Sequence, residues 1–139
     1  MTPWEASDEL KRARADTRTE KYCLHPSACP GTCGSVIARA HTVQLRGGLS
    51  RIARNGHVYR YSGDVFDYGS PGRLVHRLIG IRNASTFPGF CDLHDNGTFE
   101  PIDNEFFYAT AEQCFLLGYR AIARAIFTKR REKRLVSSF

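Results

Sequence analysis

Helical and alternating hydrophobic periods divide this chain into a few recognisable elements. The clearest helix opens at Thr110-Ala111-Glu112-Gln113, a capping box, and continues with Phe115, Tyr119, Ile122 and Ile126 on one stripe. Cys114, between Gln113 and Phe115, reads as a core residue of that helix. His57-Val58-Tyr59-Arg60-Tyr61 alternates and is β-prone, and a similar run around 74–81 follows after turn residues, so the two predict a β-hairpin. Residues 35–43 read as a short strand leading out of a loop dense in Cys, Pro, Gly and Ser, 22–34. Residues 49–54, closed by Asn55-Gly56, predict a short helix with a left-handed cap. At the start, Thr2-Pro3-Trp4-Glu5 has the features of a helix N-terminus and predicts a surface helix over about 3–21, docked by Trp4 and Leu10. Asn96-Gly97 is a further turn signal. The expected class is α+β, with a β-hairpin, a short central helix and flanking N- and C-terminal helices; there is no internal repeat.

Length and composition narrow this picture. A chain of 139 residues with 42% hydrophobic content is the size of one domain, 1–139, with a core but little to spare. Its net charge of +6 is uneven, because Lys129, Arg130, Arg131, Lys133 and Arg134 cluster in a basic C-terminal tail from about 128. Such a cluster suits a phosphate backbone, so nucleic acid is the expected partner, although cations at a helix end also complement the helix dipole. A protein partner or a second copy of the chain is left open. No apolar run approaches membrane-spanning length and the start is acidic, with no signal-like run, so we expect no membrane association and a cytoplasmic location. Five cysteines, an odd number, in a reducing compartment point to metal or burial rather than to disulfides.

The cysteines have metal-site spacing. Cys29-Pro30-Gly31-Thr32-Cys33 and, some sixty residues on, Cys91-Asp92-Leu93-His94 form two short ligand pairs held apart by an ordered insert. Each turn can present side chains to one point, and a tetrahedral zinc ion would tie the turns together. Cys33, Cys91 and His94 are the firmest ligands. The fourth is Cys29, favoured by the Pro-Gly turn, or Cys23, favoured if residues 25–28 fold back over the metal. Against zinc stands the ordinary role of cysteine as a small buried hydrophobe. The fold expected is thus a small zinc-stabilised α+β domain.

In order along the chain come the cysteine pair Cys29 and Cys33, a strand ending Ala40-His41-Thr42-Val43, Asn55, and the turn of Cys91 and His94 followed by Asp95. This layout resembles that of the zinc-containing HNH nucleases of the ββα-metal, treble-clef type. The resemblance implies metal-dependent phosphodiester hydrolysis, with His41 as general base, Asn55 orienting it, and Asp95 holding a catalytic Mg2+ or Mn2+ beside the structural Zn2+. The chain departs from the family pattern at Ala40, where a second metal-binding residue is usual, at Asp95, where the motif ends in histidine, and in the long insert 61–89; Asn83 competes with Asn55 for the middle role. His41 also reads as a strand-end histidine bonded to backbone or to Gln44. The alternative function is a non-catalytic zinc-stabilised module binding nucleic acid or protein, or a subunit of a defence-type or toxin-type system.

Overall fold

The structure is a computed structural model that describes residues 8–9, 12–13, 15–16, 19–62 and 75–137. Strand β1 (Ile37–His41) leads through a π-helical turn (Leu45–Leu49) into the single turn α1 (Ser50–Ile52). Strands β2 (His57–Ser62) and β3 (Val75–Gly80) follow, then β4 (Thr86–Cys91), α2 (Asp92–Asp103) and the long α3 (Ala111–Ser137). The class is α+β, and the strands form two separate antiparallel pairs, β1 with β4 and β2 with β3.

The hairpin forms where alternation predicted it, with His57 opposite Gly80 and Tyr61 opposite His76. Asn55 and Gly56, at φ 49° and 71°, do not cap a helix. They make a two-residue turn in which Arg54 and His57 exchange backbone hydrogen bonds of 2.9 and 3.0 Å. The physical reason is that two successive left-handed residues match the twist of antiparallel strands. The helical turn before them, α1, is correspondingly shorter than 49–54.

Two elements are absent from the sequence reading. β4 has the sequence Thr-Phe-Pro-Gly-Phe-Cys, in which proline and glycine disguise a strand. The structure tolerates them because the ladder is irregular there: Ala38 faces Phe90 and Ala40 faces Phe87, so Pro88 and Gly89 together oppose Arg39 in a bulge. α2 runs straight through Asn96-Gly97, where a turn was expected. Cys91 caps it, its thiol accepting from the His94 N–H, Asp92 and Asp95 suit the positive end of its dipole, and Phe99 and Ile102 anchor it in the core.

The core gathers Ala40, Phe87, Phe90, Phe99, Ile102, Leu116, Ala123 and Phe127. Aromatic rings meet edge-on within it, Phe90 against Phe99 at 5.1 Å and Phe87 against Phe127 at 5.9 Å. The buried face of α3 is therefore Gln113, Leu116, Arg120, Ala123 and Phe127, not the expected stripe. Phe115 and Ile122 are 68% and 61% exposed, and Cys114, read as core, is also exposed. Two polar residues hide the true face from a hydrophobic pattern. Gln113 is buried because its amide accepts from the Tyr108 N–H and donates to the Pro101 and Phe106 carbonyls. Arg120 is buried because it forms a two-pronged pair with Asp103, at 2.9 and 2.5 Å, and lies 4.0 Å over the Phe99 ring.

Of the helix expected over about 3–21, the described residues 8–9, 12–13 and 15–16 are helical, and Thr19 already lies in a turn. Trp4 and Leu10 lie outside the described residues. The basic C-terminal stretch continues α3 rather than forming a separate tail.

Candidate metal centre

Three pieces of backbone converge at one end of β4. The segment carrying Cys23 runs beside β4, with the Tyr22 N–H donating to the Pro88 carbonyl at 3.4 Å and the Leu24 N–H to the Gly89 carbonyl at 2.8 Å. The turn 29–33 closes with the Thr32 and Cys33 N–H groups both donating to the Cys29 carbonyl at 3.0 Å. The third piece is the junction of β4 with α2, where Cys91 ends the strand and His94 sits in the first helical turn. The end of the turn lies close against the start of α2 at Gly34, where an added Cβ would fall 1.8 Å from Asp92 Oδ1 and would require that side chain to move.

This convergence brings together Cys23, Cys33, Cys91 and His94, whose donor atoms all lie within 4.8 Å of one another. His94 Nδ1 is 3.5 Å from the Cys23 sulfur, 3.7 Å from Cys33 and 3.1 Å from Cys91. Bonds of about 2.3 Å to sulfur and 2.0–2.1 Å to nitrogen at tetrahedral angles would put such donors about 3.5 Å apart. The cluster is thus consistent with a structural metal ion. Its surroundings fit thiolate ligands, since the Gly34 and His94 N–H groups point at the Cys91 sulfur from 3.3 and 3.4 Å.

Electrostatics lead to the same place. Burial opposes ionisation of Cys91, but those two N–H groups and the neighbouring thiols of Cys23 and Cys33 outweigh it and bring its pKa down to about 7. Cys33 is pushed up to about 11, first by burial and then by Cys91 and Cys23. A thiolate at Cys91 is therefore favoured and one at Cys33 opposed, a conflict that a central cation would remove.

Cys29 is not in the cluster. It is exposed, its sulfur lies 3.2 Å from Thr32 Oγ1, and that contact and the Gly31 backbone lower its pKa. Its structural part is to anchor the turn that presents Cys33. The loop after Cys23 does fold over the centre: the His25 ring stacks on His94 with centroids 4.0 Å apart and planes 7° from parallel.

The residues of the nuclease-like layout are placed as follows. His41 ends β1 half-buried, and its Nε2 donates to the Ile81 carbonyl at 3.3 Å. Asn55 sits at the tip of the turn into β2, its carbonyl accepting from His57 Nδ1 at 2.7 Å. The Asn83 side chain accepts from Arg39 at 2.5 Å. Neither asparagine is the hydrogen-bond partner of His41. Asp95 lies just past the metal cluster, 3.7 Å from Arg120. Burial raises its pKa, Arg120 opposes that rise, Asp103 adds to it, and His41 lies close enough to lower it.

Sequence reasoning missed Arg120 and Gln113, which are polar at helical spacing and give no apolar signal. It also read Tyr59-Arg60-Tyr61 as a strand and not as a display of alternating aromatic and basic side chains, although the residues were in plain view. No family model matches the chain, and no curated protein or solved structure is significantly similar to it.

Proposed function

We propose that this chain is a zinc-stabilised, non-catalytic module that binds nucleic acid, with Cys23, Cys33, Cys91 and His94 holding one structural Zn2+. The observation that carries the reading is the set of four donors within 4.8 Å. Three sulfurs and one imidazole suit zinc better than the harder Ca2+ or Mg2+, and four protein donors leave no open position for chemistry. A turn carrying Cys33, a strand pair and a helix N-terminus carrying Cys91 and His94 follow one another in an order that resembles a treble clef, with Cys23 added from the segment beside β4. Binding is assigned to the basic end of α3, where Lys129 pairs with Glu132 and Arg134 with Glu20, leaving Arg130, Arg131 and Lys133 without a carboxylate among the described residues. The test is elemental analysis of purified protein together with polynucleotide binding as a function of salt. One zinc per chain and an affinity that falls steeply with salt are expected. Replacing Lys129, Arg130, Arg131, Lys133 and Arg134 by glutamine should weaken binding alike for all sequences; absence of zinc, or no binding at low salt, overturns the reading.

A second reading, HNH-like phosphodiester hydrolysis, is favoured by one observation, the proximity that lets His41 lower the Asp95 pKa. In it His41 is the base, Asn55 its orienter and Asp95 the ligand of Mg2+ or Mn2+. Arg120 already faces Asp95, supplying the positive charge such an ion would bring, which is why this reading stands second. It requires cleavage that depends on added Mg2+ or Mn2+ and is abolished in His41→Ala with zinc content intact. Wild-type protein that binds and never cuts with either ion retires it.

A further inference from the structure

α3 carries a second apolar stripe, outside the core. Phe115, Ile122 and Ile126 are 68%, 61% and 41% exposed, while the polar Gln113 and Arg120 occupy the buried face. The Phe115 and Tyr119 rings stack 6.2 Å apart with planes 15° from parallel, so they share one side of the helix. Tyr119 is half-buried and also meets Phe90 and Phe99, so the stripe starts at the edge of the core and runs out from it. Single exposed apolar residues are ordinary on a protein surface, but a row of them along one helix marks a contact surface.

The row is closed at its ends by opposite charges. Glu112, Phe115, Tyr119, Ile122, Ile126 and Lys129 follow one another in the alternating three- and four-residue steps of a helix–helix seam. Two copies of α3 laid parallel and in register would set Glu112 on Glu112 and Lys129 on Lys129. Laid antiparallel about a twofold axis between Arg120 and Ala121, they pair Phe115 with Ile126, Tyr119 with Ile122 and Glu112 with Lys129, each pair occurring twice. The stripe is thus complementary to itself in both shape of pattern and charge, in one direction only. Within the chain Lys129 meets Glu132 at 2.8 Å, but this is an exposed pair of the kind that contributes little and does not hold Lys129 back.

Gly118 lies beside this stripe and is exposed. Glycine inside a helix costs about 0.5–1 kcal/mol relative to alanine. A Cβ there would meet no atom within 4 Å among the described residues, so nothing they supply calls for glycine. The close approach of a second helix does.

We propose that α3 joins two copies of this chain as an antiparallel helix pair, through Phe115, Tyr119, Ile122 and Ile126, with Glu112 against Lys129 at each end. The proposal does not depend on the binding-module reading, and no nucleic acid enters its test.

The experiment is analytical ultracentrifugation of the full, zinc-loaded chain over about 1–300 μM, the range in which a small interface associates. Zinc content and a circular-dichroism melt at the lowest concentration check the fold of each variant. Wild type should show a reversible equilibrium between one chain and two. Ile122→Glu, or Ile122→Ser should the first not fold, should weaken association about tenfold or more, because either places a polar group in the seam. Gly118→Leu adds a side chain for which the single chain has room and should weaken association about as much. Glu112→Lys and Lys129→Glu should each weaken it about five- to tenfold at low salt, and the two together should restore it to within about threefold of wild type. A chain that stays monomeric at the highest concentration overturns the proposal, as does a dimer that the Ile122 and Gly118 variants leave unchanged. A dimer that those variants weaken, but that the combined charge reversal does not restore, overturns the antiparallel register.

Discussion

β1 and β4 are paired beneath a layer of buried aromatic side chains and end in the Cys23–Cys33–Cys91–His94 cluster, whereas β2 and β3 carry exposed tyrosines, arginines and Leu78. In the first pair, Ala40, Phe87, Phe90 and Cys91 are all buried. In the second, the described side chains are exposed or at most half-buried, as at Val58 and Ile79. An isolated two-stranded hairpin is marginal in water, so the second pair depends on the body that carries it. Order is concentrated where donors and aromatics converge, and chemistry suited to contact is displayed where little is buried. The two regions should therefore respond oppositely to substitution.

The largest effect should come from breaking the centre. Structural zinc contributes about 10–16 kcal/mol in small zinc peptides at neutral pH, more than most domains possess in total stability. Chelation or Cys91→Ala should abolish the cooperative thermal melt, while Tyr59→Ala should move it by no more than about 0.5 kcal/mol. A Cys91→Ala protein with an unchanged melt would show that the cluster is not what holds the first strand pair.

The next effect falls beside the centre. Arg120 is fully buried between Asp103 and Asp95, and removing one partner of a buried pair costs about 3–5 kcal/mol. Arg120→Ala should lose about that much in a urea titration at neutral pH. Asp95 has a raised pKa in the folded protein, and Arg120 is what restrains it. A carboxyl with a raised folded pKa is destabilising when ionised, so the loss should be full above that pKa and fade as pH falls through it. Adding Asp95→Asn to Arg120→Ala should recover part of the loss at neutral pH. A loss under about 1 kcal/mol, or one independent of pH, would remove Arg120 from the support of this site.

These two regions were unequally legible in the sequence. The hairpin could be read because its alternation is a local signal, whereas Asn55-Gly56, expected to cap a helix, makes the two-residue turn ahead of β2. The cysteine turns were visible as spacing, yet the choice between Cys23 and Cys29 depended on how residues 25–28 fold, which spacing does not encode. β4 was hidden because its bulge lets Pro88 and Gly89 sit where a regular ladder would reject them. α2 was hidden by Asn96-Gly97, a turn signal overridden by a capped N-terminus and two buried anchors, Phe99 and Ile102. The face of α3 was misassigned because the residues that point inward there include Gln113 and Arg120, whose burial is sustained by partners far away in sequence.

The smallest effect should come from the turn that opens the hairpin. Gly56 has φ 71°, and a Cβ added there would meet no atom within 4 Å, so Gly56→Ala is strained by backbone conformation alone. A left-handed alanine costs roughly 1–2 kcal/mol. If the hairpin opens independently of the body that carries the Cys23–Cys33–Cys91–His94 cluster, that strain should appear as roughly 5- to 30-fold faster hydrogen exchange confined to amides of β2 and β3, with amides of β1, β4 and α2 unaffected. Asn55→Ala should act in the same direction, because its φ of 49° is one that asparagine tolerates better than alanine. Should Gly56→Ala instead accelerate exchange in β1 and β4 to the same extent, the two strand pairs would open as one cooperative unit, and the contrast between a clamped body and a displayed hairpin would be one of burial and not of stability.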